Sequence, residues 1–165
     1  MNIFLPYEND IQESIKALDD LRLNKQILEC FQLLKNAVTE KMGGEIDGYK
    51  NHPVYLYYKN DLKFLYDYGV SACNEYAFRF GKTHNLAIKY YYLISCYGEL
   101  FADYIVKPFY AEGIKNSPNC IRTTENVGRL FQEKLIRKWQ NDKRKPKWTK
   151  RETPRFYKEF LDEIC

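Results

Sequence analysis

From Leu21 to about Glu40 neither proline nor glycine interrupts the chain, and Leu23, Ile27, Cys30 and Leu34 recur at helical spacing. Such a stretch reads as one long amphipathic helix whose apolar stripe has to be covered by other elements. Gly43-Gly44 ends it. Ahead of it, the FLPY lead at Phe4–Tyr7 precedes Asn9-Asp10, and either of these side chains can accept from the first free amides of a helix running to about Leu18. Behind it, Gly48-Tyr-Lys-Asn-His-Pro53 has the glycine and the pre-proline restriction of a loop, with a short helix following from Pro53 to about Tyr58. A longer helix is predicted from about Asp61 to Arg79, with Gly81 just past its end. The Tyr- and Phe-rich stretch from Asn85 to Tyr104 is ambiguous by periodicity, and its length favours helix. Pro108, Gly113 and Pro118 predict a connecting loop between Lys107 and Asn119. A basic helix from about Thr124 to Gln140, a charged loop around Pro146 and a last helix from Pro154 complete the reading. No clean alternation marks a strand, so the expected fold class is mainly α, a compact single-domain helical bundle with long connecting loops.

With 165 residues the chain can bury one good core and is too short to argue for two domains, so residues 1–165 read as one domain. No run of eighteen apolar residues occurs, and the N-terminus lacks the basic-then-apolar order of a secretory signal. The location this implies is cytoplasmic or nuclear (host cytoplasm for a viral protein), and not secreted. Cys30, Cys73, Cys96, Cys120 and Cys165 are odd in number and form no C-x-x-C, so they read as reduced thiols. His52 and His84 stand in no ligand pattern, and neither a metal nor a cofactor is expected. His84, between Thr83 and Asn85, reads as a capping or turn residue.

On the long helix, Arg22, Lys25, Gln26 and Glu29 fall at offsets 0, 3, 4 and 7 and share a narrow sector, while Leu23, Ile27, Cys30 and Leu34 take the neighbouring one. A carboxylate flanked by cations and an amide suits base excision, which needs an acid or base at the sugar and donors for phosphate and base. The same pattern also describes an ordinary solvated face with a Lys25–Glu29 pair. Spacing alone leaves both readings open.

Five short motifs then occur in a fixed order: FLPY; Leu18-Asp19, Arg22-Leu23, Lys25-Gln26 and Glu29; Asn51-His52-Pro53; Tyr68-Gly69; and Cys73 with Glu75. In combination they resemble the bacterial and phage branch of the pyrimidine-dimer DNA glycosylase (endonuclease V-like) family, over about residues 3 to 82. The resemblance implies a mostly helical fold and a mechanism in which an amine attacks the sugar C1′ while a Glu on an early helix assists. An imine intermediate then permits strand cleavage by β-elimination. Glu29 matches that Glu, Arg22 and Lys25 match basic positions and Gln26 an amide position. In the phage enzyme type the nucleophile is the α-amine exposed by loss of the initiator Met, which requires a small second residue; here that residue is Asn2. The α-amine of Met1, a lysine such as Lys25, or water are the three candidates.

The catalytic candidates are therefore Glu29, Arg22, Lys25 and His52. His52 suits proton transfer or a phosphate contact, or else caps the chain before Pro53. Gln26, Asp19, Asn51, Lys50 and Tyr7 are candidate substrate contacts. The net charge of +4 hides an asymmetry, with thirteen Lys or Arg against four Asp or Glu between Arg122 and Lys158. There cations alternate with aromatics, the footprint of a DNA binder. Lys143, Arg144, Lys145, Lys147, Trp148, Lys150 and Arg151 are the expected DNA contacts, with Trp148 at the surface and Trp139, Phe156 and Tyr157 in the core. The expected partner is duplex DNA with a damaged or modified base. The function expected is a DNA N-glycosylase, with or without AP-lyase activity, removing a damaged or modified pyrimidine. A non-catalytic module that recognises distorted or modified DNA is the alternative.

Overall fold

The computed structural model of the protein describes residues 1–8, 10–46, 48–101 and 127–164. Among the described residues there are seven α-helices and no strand. They are α1 (Ile11–Ala17), α2 (Asp20–Lys41), α3 (Pro53–Tyr58), α4 (Leu62–Phe80), α5 (Ala87–Tyr97), α6 (Val127–Asn141) and α7 (Arg155–Ile164). The mainly α fold class expected from the sequence is what is observed. The expected 107–119 loop and the first residues of the basic helix lie outside the described residues.

Helix ends follow local chemistry. The Asp10 carboxylate accepts from the Glu13 amide at 2.9 Å and starts α1, and Asp61 does the same for Phe64 at 3.1 Å in α4. The His52 ring caps α3, its Nδ1 accepting from the Val54 amide at 3.2 Å. Gly81 ends α4 in the left-handed conformation, φ +65°, which costs glycine nothing. The helix expected over 85–104 is shorter: α5 gives way at Gly98 to a 3-10 turn, Gly98–Phe101. Glycine, which loses the most backbone entropy in an α-helix, is the residue where the tighter turn takes over.

The core is α2 laid against α4, with α5 crossing both. Leu23, Ile27, Cys30 and Leu34 are all fully buried, as the spacing requires. Tyr90 of α5 lies over Gly69 of α4 so closely that a Cβ there would sit 2.2 Å from the ring. Its buried hydroxyl donates to the Ile27 carbonyl of α2 at 2.8 Å, so one ring ties three helices together. Burial pushes the Cys30 and Cys73 thiols up to about 12, which makes them inert fillers of this core.

A second layer closes over the N-terminal lead. Phe131, Leu135 and Trp139 of α6 are buried, Phe131 meeting Phe4 edge-on at 6.1 Å. The Gly128 amide donates to Glu8 Oε1 at 2.6 Å, and Gln132 Nε2 donates to the Pro6 carbonyl at 2.9 Å. Trp139 stacks on Phe156 of α7 at 5.8 Å and meets Tyr157 at 4.7 Å; Trp139 is in the core as expected, whereas Phe156 and Tyr157 are only half-buried and pack against its edge.

Arg79 joins the layers. Its fully buried guanidinium donates to the carbonyls of Leu18 at 2.8 Å and Lys16 at 2.9 Å, pairs with Asp20 at 3.1 Å and with Glu75 at 2.8 Å. The end of α1 exposes those carbonyls to the interior, and a five-donor cation satisfies them. The 147–151 loop docks on the same network: Thr149 Oγ1 donates to Asp20 at 2.7 Å, and Arg151 holds both oxygens of Glu75 at 2.8 Å.

Candidate active site

A cleft of about 640 Å³ opens where the N-terminal lead, α2 and the end of α6 meet. The lead brings the α-amine of Met1 to 3.9 Å from Glu29 Oε1, and the Met1 side chain is only 2% exposed. The Asn2 amide donates to Glu29 Oε2 at 3.2 Å, and so does Gln26 Nε2 at 3.1 Å. Lys25 Nζ stands 3.6 Å from Glu29 Oε1 with its side chain 62% exposed. Glu29, 12% exposed, is thus a partly desolvated carboxylate between two amines. That arrangement can pass a proton to and from an attacking amine, or steady positive charge at a sugar.

His52 is close enough for the charges of the Met1 amine and Glu29 to act on its ring. Burial lowers its pKa, the amine lowers it further, and Glu29 opposes both. The ring is therefore neutral at pH 7, and with Nδ1 accepting from Val54 its proton resides on Nε2. Lys50 and Asn51 are exposed in the same loop, where Tyr49 meets His52 edge-on at 5.9 Å.

Several sequence-based expectations need correction. Gln26 is 1% exposed and all four of its hydrogen-bonding positions are used inside the protein, so it has nothing left for a base. Asp19 is likewise buried, accepting from Trp139 Nε1 at 2.8 Å and pairing with Arg22 at 3.4 Å. Burial raises the Asp19 carboxyl despite those partners. Arg22 is held between Asp19 and Asp142; burial alone would lower its pKa, but the two carboxylates outweigh it and keep it charged. It forms the cleft wall as a clamped cation. Tyr7 packs edge-on to Phe156 at 6.3 Å and does not line the cleft.

The basic end divides in two. Lys143, Arg144, Lys145 and Lys147 are exposed, the first three directly following Asp142 at the cleft rim. Trp148, expected at the surface, instead donates its Nε1 to the Ala17 carbonyl at 2.9 Å and packs on Trp139 at 5.1 Å. Lys150 donates to the Phe78 carbonyl at 3.0 Å, and Arg151 is spent on Glu75 while lying 4.1 Å over the Phe78 ring. Cleft residues that the helix-face reading did not place are Arg137, Lys138, Asn141 and Asp142 of α6 and its end. Arg137 and Lys138 belong to the basic helix that the sequence predicts, with nothing in the sequence to set it opposite α2. Among the described residues no group of His, Cys, Asp or Glu is arranged to hold a metal, and no helix is long and apolar enough to cross a membrane.

A helical fold that gathers an amine, a carboxylate and a cationic rim in one groove has the equipment of enzymes that open glycosidic bonds in DNA. The chain belongs to the pyrimidine dimer DNA glycosylase family, whose family model matches residues 1–89. No curated protein and no solved structure matches. The matched region includes the cleft residues Met1, Lys25 and Glu29, and also His52, which does not line the cleft, whereas α6 lies beyond it.

Proposed function

We propose that this protein is a DNA N-glycosylase with an associated lyase step, acting on a damaged or modified pyrimidine in duplex DNA. The observation that carries the reading is the Met1 amine poised 3.9 Å from Glu29 at the cleft. The target nucleotide has to leave the stack, because C1′ of a stacked residue is out of reach of a group inside a cleft. The amine lone pair forms a bond to C1′ as the glycosidic bond breaks, the base departs with the electron pair of the broken bond and takes up a proton, and Glu29 receives the proton lost by the amine. Ring opening then gives an imine between Met1 and the sugar. Loss of a C2′ proton expels the 3′ phosphate, and water releases the product. His52, which caps α3 outside the cleft lining and feels the charges of Met1 and Glu29, is the proposed donor to a DNA phosphate.

Borohydride added during turnover of an ultraviolet-irradiated duplex should trap a covalent adduct, and mass mapping should place it on the peptide that begins at Met1. A short N-terminal extension that remains on the protein should eliminate the adduct. Mapping to Lys25 would move the nucleophile to the lysine, and abasic product without adduct would assign the attack to water. A protein that binds DNA yet gives neither product nor adduct is a recognition module.

The rim cations are the proposed DNA grip. Each phosphate they neutralise releases a condensed counterion, so affinity for undamaged duplex should fall with salt at a log–log slope of about −0.9 per contact. Changing Lys143, Arg144 and Lys145 together to Ala should flatten that slope and weaken binding with little regard to sequence. An unchanged slope in equilibrium titrations would shift the grip to Lys25, Arg137 and Lys138.

A further inference from the structure

One buried side chain bonds the N-terminal lead on both sides of Ile3. Gln26 Nε2 donates to the Asn2 carbonyl at 2.7 Å, and Gln26 Oε1 accepts from the Phe4 amide at 3.1 Å. The amide thus reads two backbone groups that flank Ile3, much as a neighbouring chain would. The same Nε2 reaches Glu29 Oε2 at 3.1 Å. Tyr68 of α4, fully buried, brings its hydroxyl to 2.9 Å from Gln26 Oε1 and 3.1 Å from the Phe4 carbonyl.

We infer that Gln26 and Tyr68 are positioning residues that set the Met1 amine against Glu29; this rests on the amine being the nucleophile. Packing secures the first residues of the lead, since Ile3, Phe4 and Leu5 are all buried, and Gln132 and Gly128 bond its later residues Pro6 and Glu8. Apolar contacts, however, carry no register, and a slip of one residue would move the amine by about 3.3–3.6 Å. A buried amide and phenol cost desolvation unless every polar atom is matched, and here they are matched by the very groups whose register matters. The amine's carrier and its carboxylate are aligned by a single nitrogen. The Phe4 N–H and the Asn2 carbonyl fix which way the amide points, and the Tyr68 hydroxyl braces Oε1 in that orientation.

The test uses the full chain and a duplex carrying one abasic site, whose aldehyde reports the amine directly through borohydride trapping. Gln26→Met and Tyr68→Phe should bind this duplex with wild-type affinity yet form adduct more slowly, by between about tenfold and a hundredfold for Gln26→Met and less for Tyr68→Phe. Gln26→Glu puts an oxygen where Nε2 now donates, facing the Asn2 carbonyl and the Glu29 carboxylate, so it should share a proton with Glu29 and give a trapping rate whose pH dependence differs from wild type, a change that a loss of packing would not produce. Should Gln26→Met fail to fold, Tyr68→Phe, which removes one oxygen and keeps the ring, decides the matter. Variants that trap at the wild-type rate with an unshifted pH profile overturn the inference while leaving the amine reading intact. A wild-type protein that gives no adduct overturns both.

Discussion

Replacing Glu29 with glutamine should lower turnover by about 10²–10⁴-fold, the range in which positioned proton transfer contributes, while leaving DNA affinity and its salt slope unchanged. Glutamine keeps the size of the side chain and an oxygen that can accept from the Asn2 amide and Gln26 Nε2, so the lead stays in place. What is lost is the charge 3.9 Å from the Met1 amine and 3.6 Å from Lys25, and with it the acceptor for the amine's proton. Single-turnover formation of abasic sites, measured beside equilibrium binding, separates the two effects. A Glu29→Gln protein with wild-type turnover would place the chemistry elsewhere in the cleft. One that lost binding in proportion would make Glu29 a structural group.

Replacing Arg79 with leucine should destabilise the protein by about 3–5 kcal/mol, the usual cost of removing one partner from a buried ionic network. The Lys16 and Leu18 carbonyls lose their donor, and Glu75 keeps only Arg151. Urea midpoints should fall accordingly, at constant dependence on denaturant. The pH dependence follows from Glu75. Burial raises its pKa, but hydrogen bonds from Arg151 and Arg79 outweigh this and hold it below the ordinary carboxylate value. A depressed carboxylate contributes stability in full above its unfolded-state pKa and loses it as pH falls through the native value. Removing Arg79 reduces that depression, so the gap between wild type and variant should narrow on acidification. A deficit below about 1 kcal/mol would mean that water or Arg151 satisfies the network without Arg79.

The fold was largely legible because its signals are local. An uninterrupted 3.6-residue period marks α2, and Asp10, Asp61, Pro53 and Gly81 mark ends that the structure reproduces within a residue or two. The site was legible only as a helix face. The spacing of Arg22, Lys25, Gln26 and Glu29 correctly puts them in one sector, but a sector does not say what lies over it. The N-terminal lead covers Gln26, and Asp142, arriving from 120 residues further along the chain, closes on Arg22. Trp148 misled for the same reason. Its lysine neighbours suggest solvent, whereas its indole meets a carbonyl of α1 that no local rule could locate.

Trp139 bonds to Asp19, Gln132 to Pro6 and Thr149 to Asp20, each across 120 residues or more. Contacts of such high sequence separation close large loops, whose closure entropy has to be met before the contacts can repay it. Synthesis adds a delay. A nascent chain that has already exposed Met1, Lys25 and Glu29 still lacks one wall of the cleft until residues 137–142 leave the ribosome. On the proposed function, a partly made polypeptide therefore lacks both that wall and the Lys143, Arg144 and Lys145 cations of the proposed grip.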